Sequence, residues 1–142
     1  MKILLWLITL LTVVSCDRYQ VTFNERQIYT PPSLFTNYQI ADPNLRNCVA
    51  QAISDQRIEH GEDLLQLNCS YAGITNLSGL KRFSKLETIN LFNNQLTDIK
   101  PLMFLGSLKR LDLRENPALP CKDLLSLEEL LTADLLRPKT CI

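Results

Sequence analysis

The chain has 142 residues, 46% of them hydrophobic, and its lysines plus arginines equal its aspartates plus glutamates at 15 each. That length holds one domain and little more, and the balanced charges form no sequence run that points to a nucleic-acid binder or to an acidic disordered tail. One histidine and four glycines leave no two-histidine zinc set and no glycine loop for phosphate.

Lys2 precedes an uncharged run from Ile3 to Val14. Such a run suits the apolar region of a signal peptide and falls short of the roughly 20 residues of a membrane span. It ends Val13-Val14-Ser15-Cys16, which resembles a bacterial lipobox, where a cysteine becomes the lipidated first residue of the mature chain. Ser15 also satisfies ordinary signal peptidase. Either route removes residues 1–15. Cys16 is the expected lipidation site, and the membrane of the cell envelope is then a partner through that lipid.

Residues 16–41 show no clear period, and Thr30-Pro31-Pro32-Ser33 resists helix and strand alike, so they read as an irregular tether. Yet Tyr19, Phe23, Tyr29, Phe35 and Tyr38 make it rich in aromatic rings. Phe35 and Tyr38 are expected to lean on the element that follows while the earlier part stays loose. The alternative is a docking strip, which would make the protein an accessory lipoprotein that stabilises an envelope complex.

Asp42-Pro43 places an N-cap residue before a proline at the first helical position. Leu45, Cys48, Val49, Ala52 and Ile53 then form one apolar stripe of a helix, so 42–63 reads as an N-terminal cap.

Across 64–120 the chain repeats every 22 residues. Leu64, Leu86 and Leu108 open the units, and apolar residues recur behind them: Leu67, Ile89 and Leu111, then Cys69, Leu91 and Leu113. Ile74 and Leu96, Leu77 and Ile99, Leu80 and Leu102, Phe83 and Leu105 continue the pattern. A fixed period of this size signals a solenoid whose turns bury their apolar sides against one another. Asn94 and Asn116 share one offset, where a buried amide can bond backbone groups that a turn leaves unpaired; the first unit has Ala72 there. Pro117 and Pro120 stop the third unit, and the leucines from Leu124 to Leu131 suggest one or two short helices within a C-terminal cap over 121–142.

Without Cys16, four cysteines remain, and four allow three pairings. In an exported chain, joining neighbours gives Cys48–Cys69 and Cys121–Cys141, one staple at each end of the repeats. Each closes a loop of about 20 residues, worth roughly 3 kcal/mol.

The stretch from Leu86 through Asn94-Gln95-Leu96-Thr97-Asp98-Ile99 to Pro101-Leu102 resembles the leucine-rich-repeat family in its 22-residue, internalin-like bacterial form. Ala41-Asp42-Pro43-Asn44-Leu45 is similar to the N-terminal cap of those proteins, and Asn116-Pro117 leading to Cys121 to a cysteine-bearing C-terminal cap. The resemblance implies an α/β fold, a short solenoid with a parallel sheet of about three strands on its concave side. It implies binding of a protein partner and no enzymatic activity.

Outward strand positions then form columns across that face: Gln66, Thr88 and Arg110; Asn68, Asn90 and Asp112; Ser70, Phe92 and Arg114, with Tyr71, Asn93 and Glu115 beside them. Tyr71, Phe92, Arg110, Asp112 and Arg114 are the candidate partner-binding residues, because exposed aromatics with arginine make up interface hot spots. Catalytic and metal candidates are lacking. His60, beside Glu59, Glu62 and Asp63, stands in what reads as a solvated loop, and no cofactor is implied. Asn68-Cys69-Ser70 and Asn76-Leu77-Ser78 match the glycosylation pattern, accidentally if the protein is bacterial.

Overall fold

The computed structural model describes residues 21–23, 26–29, 32–130 and 134–141; the expected signal peptide and Cys16 lie outside them. Two compact units are present, Met1–Ser33 and Leu34–Ile142. In the first, β1 (Val21–Phe23) pairs antiparallel with β2 (Arg26–Tyr29), so a segment read as irregular holds a short hairpin. Strands of three and four residues are too short to show a period.

The second unit begins with Leu34–Ala41 and then α1 (Pro43–Gln56). Leu45, Val49 and Ile53 are its buried stripe. Arg57 ends the helix in the left-handed region at φ 54°, and the N–H of Ile58 reaches back to Ile53 O at 2.9 Å, closing the carbonyls that a helix end leaves open. Phe35 and Tyr38 pack on Phe83, with ring centroids 5.9 and 5.5 Å from it. The strap also passes over Gly79, whose φ is +102° and where a Cβ would lie 2.3 Å from Gln39 O, so only glycine fits.

Three strands follow at the repeat spacing: β3 (Gln66–Asn68), β4 (Thr88–Asn90) and β5 (Arg110–Asp112), parallel and paired Leu67 to Ile89 to Leu111. Between them the chain returns through 3₁₀ turns at Leu80–Arg82 and Lys100–Phe104. Every repeated apolar position from Leu64 to Leu113 is buried, forming one core between strands and turns. No strand pair could hide both its faces alone; the stack supplies the missing cover.

The sheet has four strands, where three were expected. After α2 (Cys121–Leu130), β6 (Asp134–Leu136) adds in parallel to β5, with Leu111 paired to Leu135. Successive strand partners are otherwise 22 residues apart, but this step is 24. The full α-helical turns of α2 replace a 3₁₀ turn, and Leu124 and Leu127 fill the core places that Leu102 and Leu105 fill one unit earlier. That two-residue slip hides β6 from a strict period.

Asn94 and Asn116 are buried and fully used. Asn94 Oδ1 accepts from Ile74 N at 2.9 Å, and its Nδ2 donates to Cys69 O and Leu91 O, both at 2.9 Å. Asn116 repeats this with Leu96 N, Leu91 O and Leu113 O. Each amide thus ties a turn to the preceding unit. Ala72, in the first unit, is partly buried against the core.

Two disulfides hold the unit, Cys48–Cys69 from α1 to the end of β3 and Cys121–Cys141 from α2 to the last 3₁₀ turn, with Cα atoms 5.8 and 5.2 Å apart. Asp42 does more than cap α1. Its Oδ1 accepts from the N–H groups of Asn44 and Leu45 at 2.9 and 3.0 Å. Its Oδ2 accepts from Thr75 N, Thr75 Oγ1 and Asn76 N at 2.9, 2.9 and 3.1 Å. One carboxylate fastens the helix start to the first repeat.

Candidate functional site

The outward face of the sheet is built by residues that flank β3, β4, β5 and β6. Shortly after β3, β4 and β5 the chain turns through a left-handed residue: Tyr71 at φ 58°, Asn93 at φ 53° and Glu115 at φ 55°. Because all three repeats share it, this conformation belongs to the repeat and not to one special residue. It sends the Tyr71 ring beside its neighbour. Tyr71 and Phe92 meet edge to face with centroids 5.2 Å apart, a pairing worth about 0.5–1.5 kcal/mol beyond its buried area. The Arg114 guanidinium stands over the other aromatic partner, 5.4 Å from the Phe92 centroid. Tyr71, Phe92 and Arg114 therefore form one row across three strands.

Asp112 occupies a different place from the one expected. It was placed among exposed columns, but it is buried beneath Arg114, 8% exposed. Arg114 Nε lies 3.0 Å from Asp112 Oδ1 and Nη2 2.6 Å from Oδ2, a forked pair. Burial pushes the Asp112 carboxyl up, but hydrogen bonds from the Arg114 side chain and N–H, with the charges of Arg114 and Arg110, outweigh it and hold it below the usual 3.8. In return Asp112 raises the Arg114 guanidinium. Asp112 thus positions Arg114 and offers a partner little surface of its own.

The rest of that column is also structural. Asn68 Oδ1 accepts from Ser70 N at 3.3 Å, Asn90 Oδ1 from Phe92 N at 2.9 Å and Asp112 Oδ1 from Arg114 N at 3.1 Å. An Asn or Asp at one fixed offset in every repeat was the available signal, since such side chains close turns on their own backbone two residues on. Arg110 stays exposed at the edge of the row, 4.0 Å from Asp134 on β6, a residue that the strict period did not bring to this face. Lys139 lies 3.6 Å from Glu115, and Lys109 2.8 Å from Glu87. The charges near the aromatic row are mostly paired among themselves.

Elsewhere the chemistry is sparse. His60 is exposed, with Nδ1 3.2 Å from Asp63 Oδ2. With Glu62 the pair lines an open groove of about 1100 Å³ that Phe35, Tyr38, Lys81 and Arg82 complete. Among the described residues no group of three His, Cys, Asp or Glu side chains is placed to hold a metal, and no helix is long and apolar enough to cross a membrane.

Comparison with known proteins gives one family. The model of the leucine-rich-repeat domain of the endo-beta-N-acetylglucosaminidase EndoS matches residues 40–137. No curated protein matches the chain. Among solved structures, one of the CBM51-2 and INT domains of Clostridium perfringens ZmpB is similar at 24% identity and a TM-score of 0.43, over 61% of this chain and 18% of that one. With a matched stretch that covers well over half its residues, an unbroken register of buried leucines and a parallel sheet built one strand per repeat, the chain belongs to the leucine-rich-repeat family, in the type of the EndoS leucine-rich-repeat domain.

Proposed function

We propose that this protein is a non-enzymatic binding module, exported and held at the cell envelope by a lipid on Cys16, which captures a protein partner on the outward face of its sheet. α1 and the α2–β6 segment close the two ends of a short solenoid. The observation that carries the binding reading is the Tyr71–Phe92–Arg114 row. Tyr71 is 69% exposed, so its ring does not serve the core, and Arg114 is held in position by the carboxylate beneath it. Fixed aromatic and arginine side chains lose little freedom on binding, which is what a small interface needs. Phe35 and Tyr38 pack against Phe83, which leaves a docking strip in the N-terminal segment fewer rings to offer.

Phe92→Ala and Arg114→Ala are each expected to weaken partner capture at least tenfold, the loss typical of hot-spot residues. Each should also lower the melting temperature by several degrees, through the lost Tyr71–Phe92 contact or the unpaired Asp112, while the domain stays folded at the temperature of the assay. Unchanged capture by both variants, from the same cells, contradicts the site. The anchor has its own test: radioactive fatty acid should label the parent and not Cys16→Ala, and equal labelling of the two excludes Cys16 as the lipid site.

A further inference from the structure

The outer stretches of the two full repeats, residues 78–85 and 98–107, carry Lys81, Arg82, Lys85 and Lys100 against one carboxylate, Asp98, although the chain as a whole is neutral. All five side chains are exposed. The 3₁₀ turns Leu80–Arg82 and Lys100–Phe104 lie against each other, so Lys81, Lys100 and Asp98 come together, while Arg82 turns to the Asn37 carbonyl at 3.1 Å and to the Phe35 ring. Asp98 Oδ1 accepts from the N–H of Lys100 at 2.9 Å and shapes the turn.

A second observation falls at the same place. A shallow depression of about 270 Å³ is lined by Ser78, Gly79, Lys81, Lys100, Pro101 and Phe104, with the turn-forming Asp98 beside Lys100. Phe104 is 73% exposed, more than any other large hydrophobic residue among those described. Its neighbours Leu102 and Leu105 are buried in the core, so the turn is fastened without it.

We infer that this face rests on an anionic phospholipid surface, with a headgroup phosphate between Lys81 and Lys100 and Phe104 reaching the boundary of the acyl chains. Cations on long flexible stems, spread over a broad open face around one projecting ring, suit a fluid array of headgroups. The surface is separate from the Tyr71–Phe92–Arg114 row, and the inference does not depend on what that row binds.

The test is co-sedimentation of the full chain with vesicles of phosphatidylcholine alone and of phosphatidylcholine mixed with phosphatidylglycerol, at low salt. Any contribution of the apolar stretch Ile3–Val14 is common to both kinds of vesicle, so the readout is the ratio between them. The parent is expected to favour the phosphatidylglycerol vesicles. Each basic residue at such a surface contributes about fivefold, so Lys81→Ala/Lys100→Ala should cut that preference by about 25-fold. Phe104→Ser should weaken binding to the mixed vesicles several-fold. Equal partitioning of the parent overturns the inference and leaves the face to an acidic protein; so does a lysine double variant that keeps the parent's ratio.

Discussion

Asp42→Ala is expected to remove about 3 kcal/mol of stability, a large share of the 5–15 kcal/mol that holds a typical domain folded. Losing the N-cap accounts for about 1 kcal/mol. The rest comes from Thr75 and Asn76, whose donors lose their acceptor in a part-buried setting, at about 1–3 kcal/mol for an unsatisfied group. Asp42→Asn separates the two contributions. Its remaining oxygen can still cap α1, but its amide nitrogen would face the N–H groups of Thr75 and Asn76, donor against donor. It should therefore recover only part of the loss.

The same carboxylate predicts a pH dependence. Burial raises the Asp42 carboxyl, but hydrogen bonds from the backbone of Leu45, Thr75 and Asn76 and from the Thr75 hydroxyl outweigh it, so its folded pKa lies below 3.8. A depressed carboxyl stabilises the fold fully above its unfolded pKa, near 3.9, and loses that contribution as pH falls through the folded value. The gap in urea midpoint between parent and Asp42→Ala should thus be widest at neutral pH and narrow below about pH 4. A gap that stays constant into strong acid contradicts an ionised anchor.

The second large effect concerns the disulfides. Removing either pair by serine substitution should cost about 3 kcal/mol by the loop-entropy estimate. For a unit of this size that lowers the melting temperature by about 10–20 °C. The two losses should differ in place. Without Cys48–Cys69, amide exchange is expected to accelerate in α1, which then keeps only Asp42, a few polar contacts and its apolar stripe against β3. Without Cys121–Cys141, α2 and β6 should loosen while β3, β4 and β5 stay protected. Uniform acceleration throughout the unit would show instead that the fold is a single cooperative block.

Most of the architecture was legible because each repeat asks the same question of its residues. Leu64, Leu86 and Leu108 occupy equivalent buried places before successive parallel strands, so a register read along the chain becomes a core in space. The amides Asn94 and Asn116 were legible for the same reason. β6 was not, because α2 lengthens the third unit by two residues and moves Leu135 off the period. The roles of Asp42 and Asp112 were only half legible. Sequence shows that Asp42 precedes a proline, but its bonds to Thr75 cross 33 residues. Alternation points Asp112 outward, but the folding of Arg114 back over it depends on side-chain conformation, which no spacing records. Tyr71 and Phe92 are 21 residues apart and meet only because adjacent strands are in register.

The claim that matters most is that this sheet face captures a protein, and photo-crosslinking in intact cells tests it directly. A photoreactive phenylalanine analogue replaces Tyr71, whose ring is exposed beside Phe92, and separately Leu125, which is exposed on α2. A discrete protein adduct is expected from position 71, lost when Phe92→Ala is added, and none of the same mass from position 125. Identical adducts from both positions, or none from position 71, would contradict it.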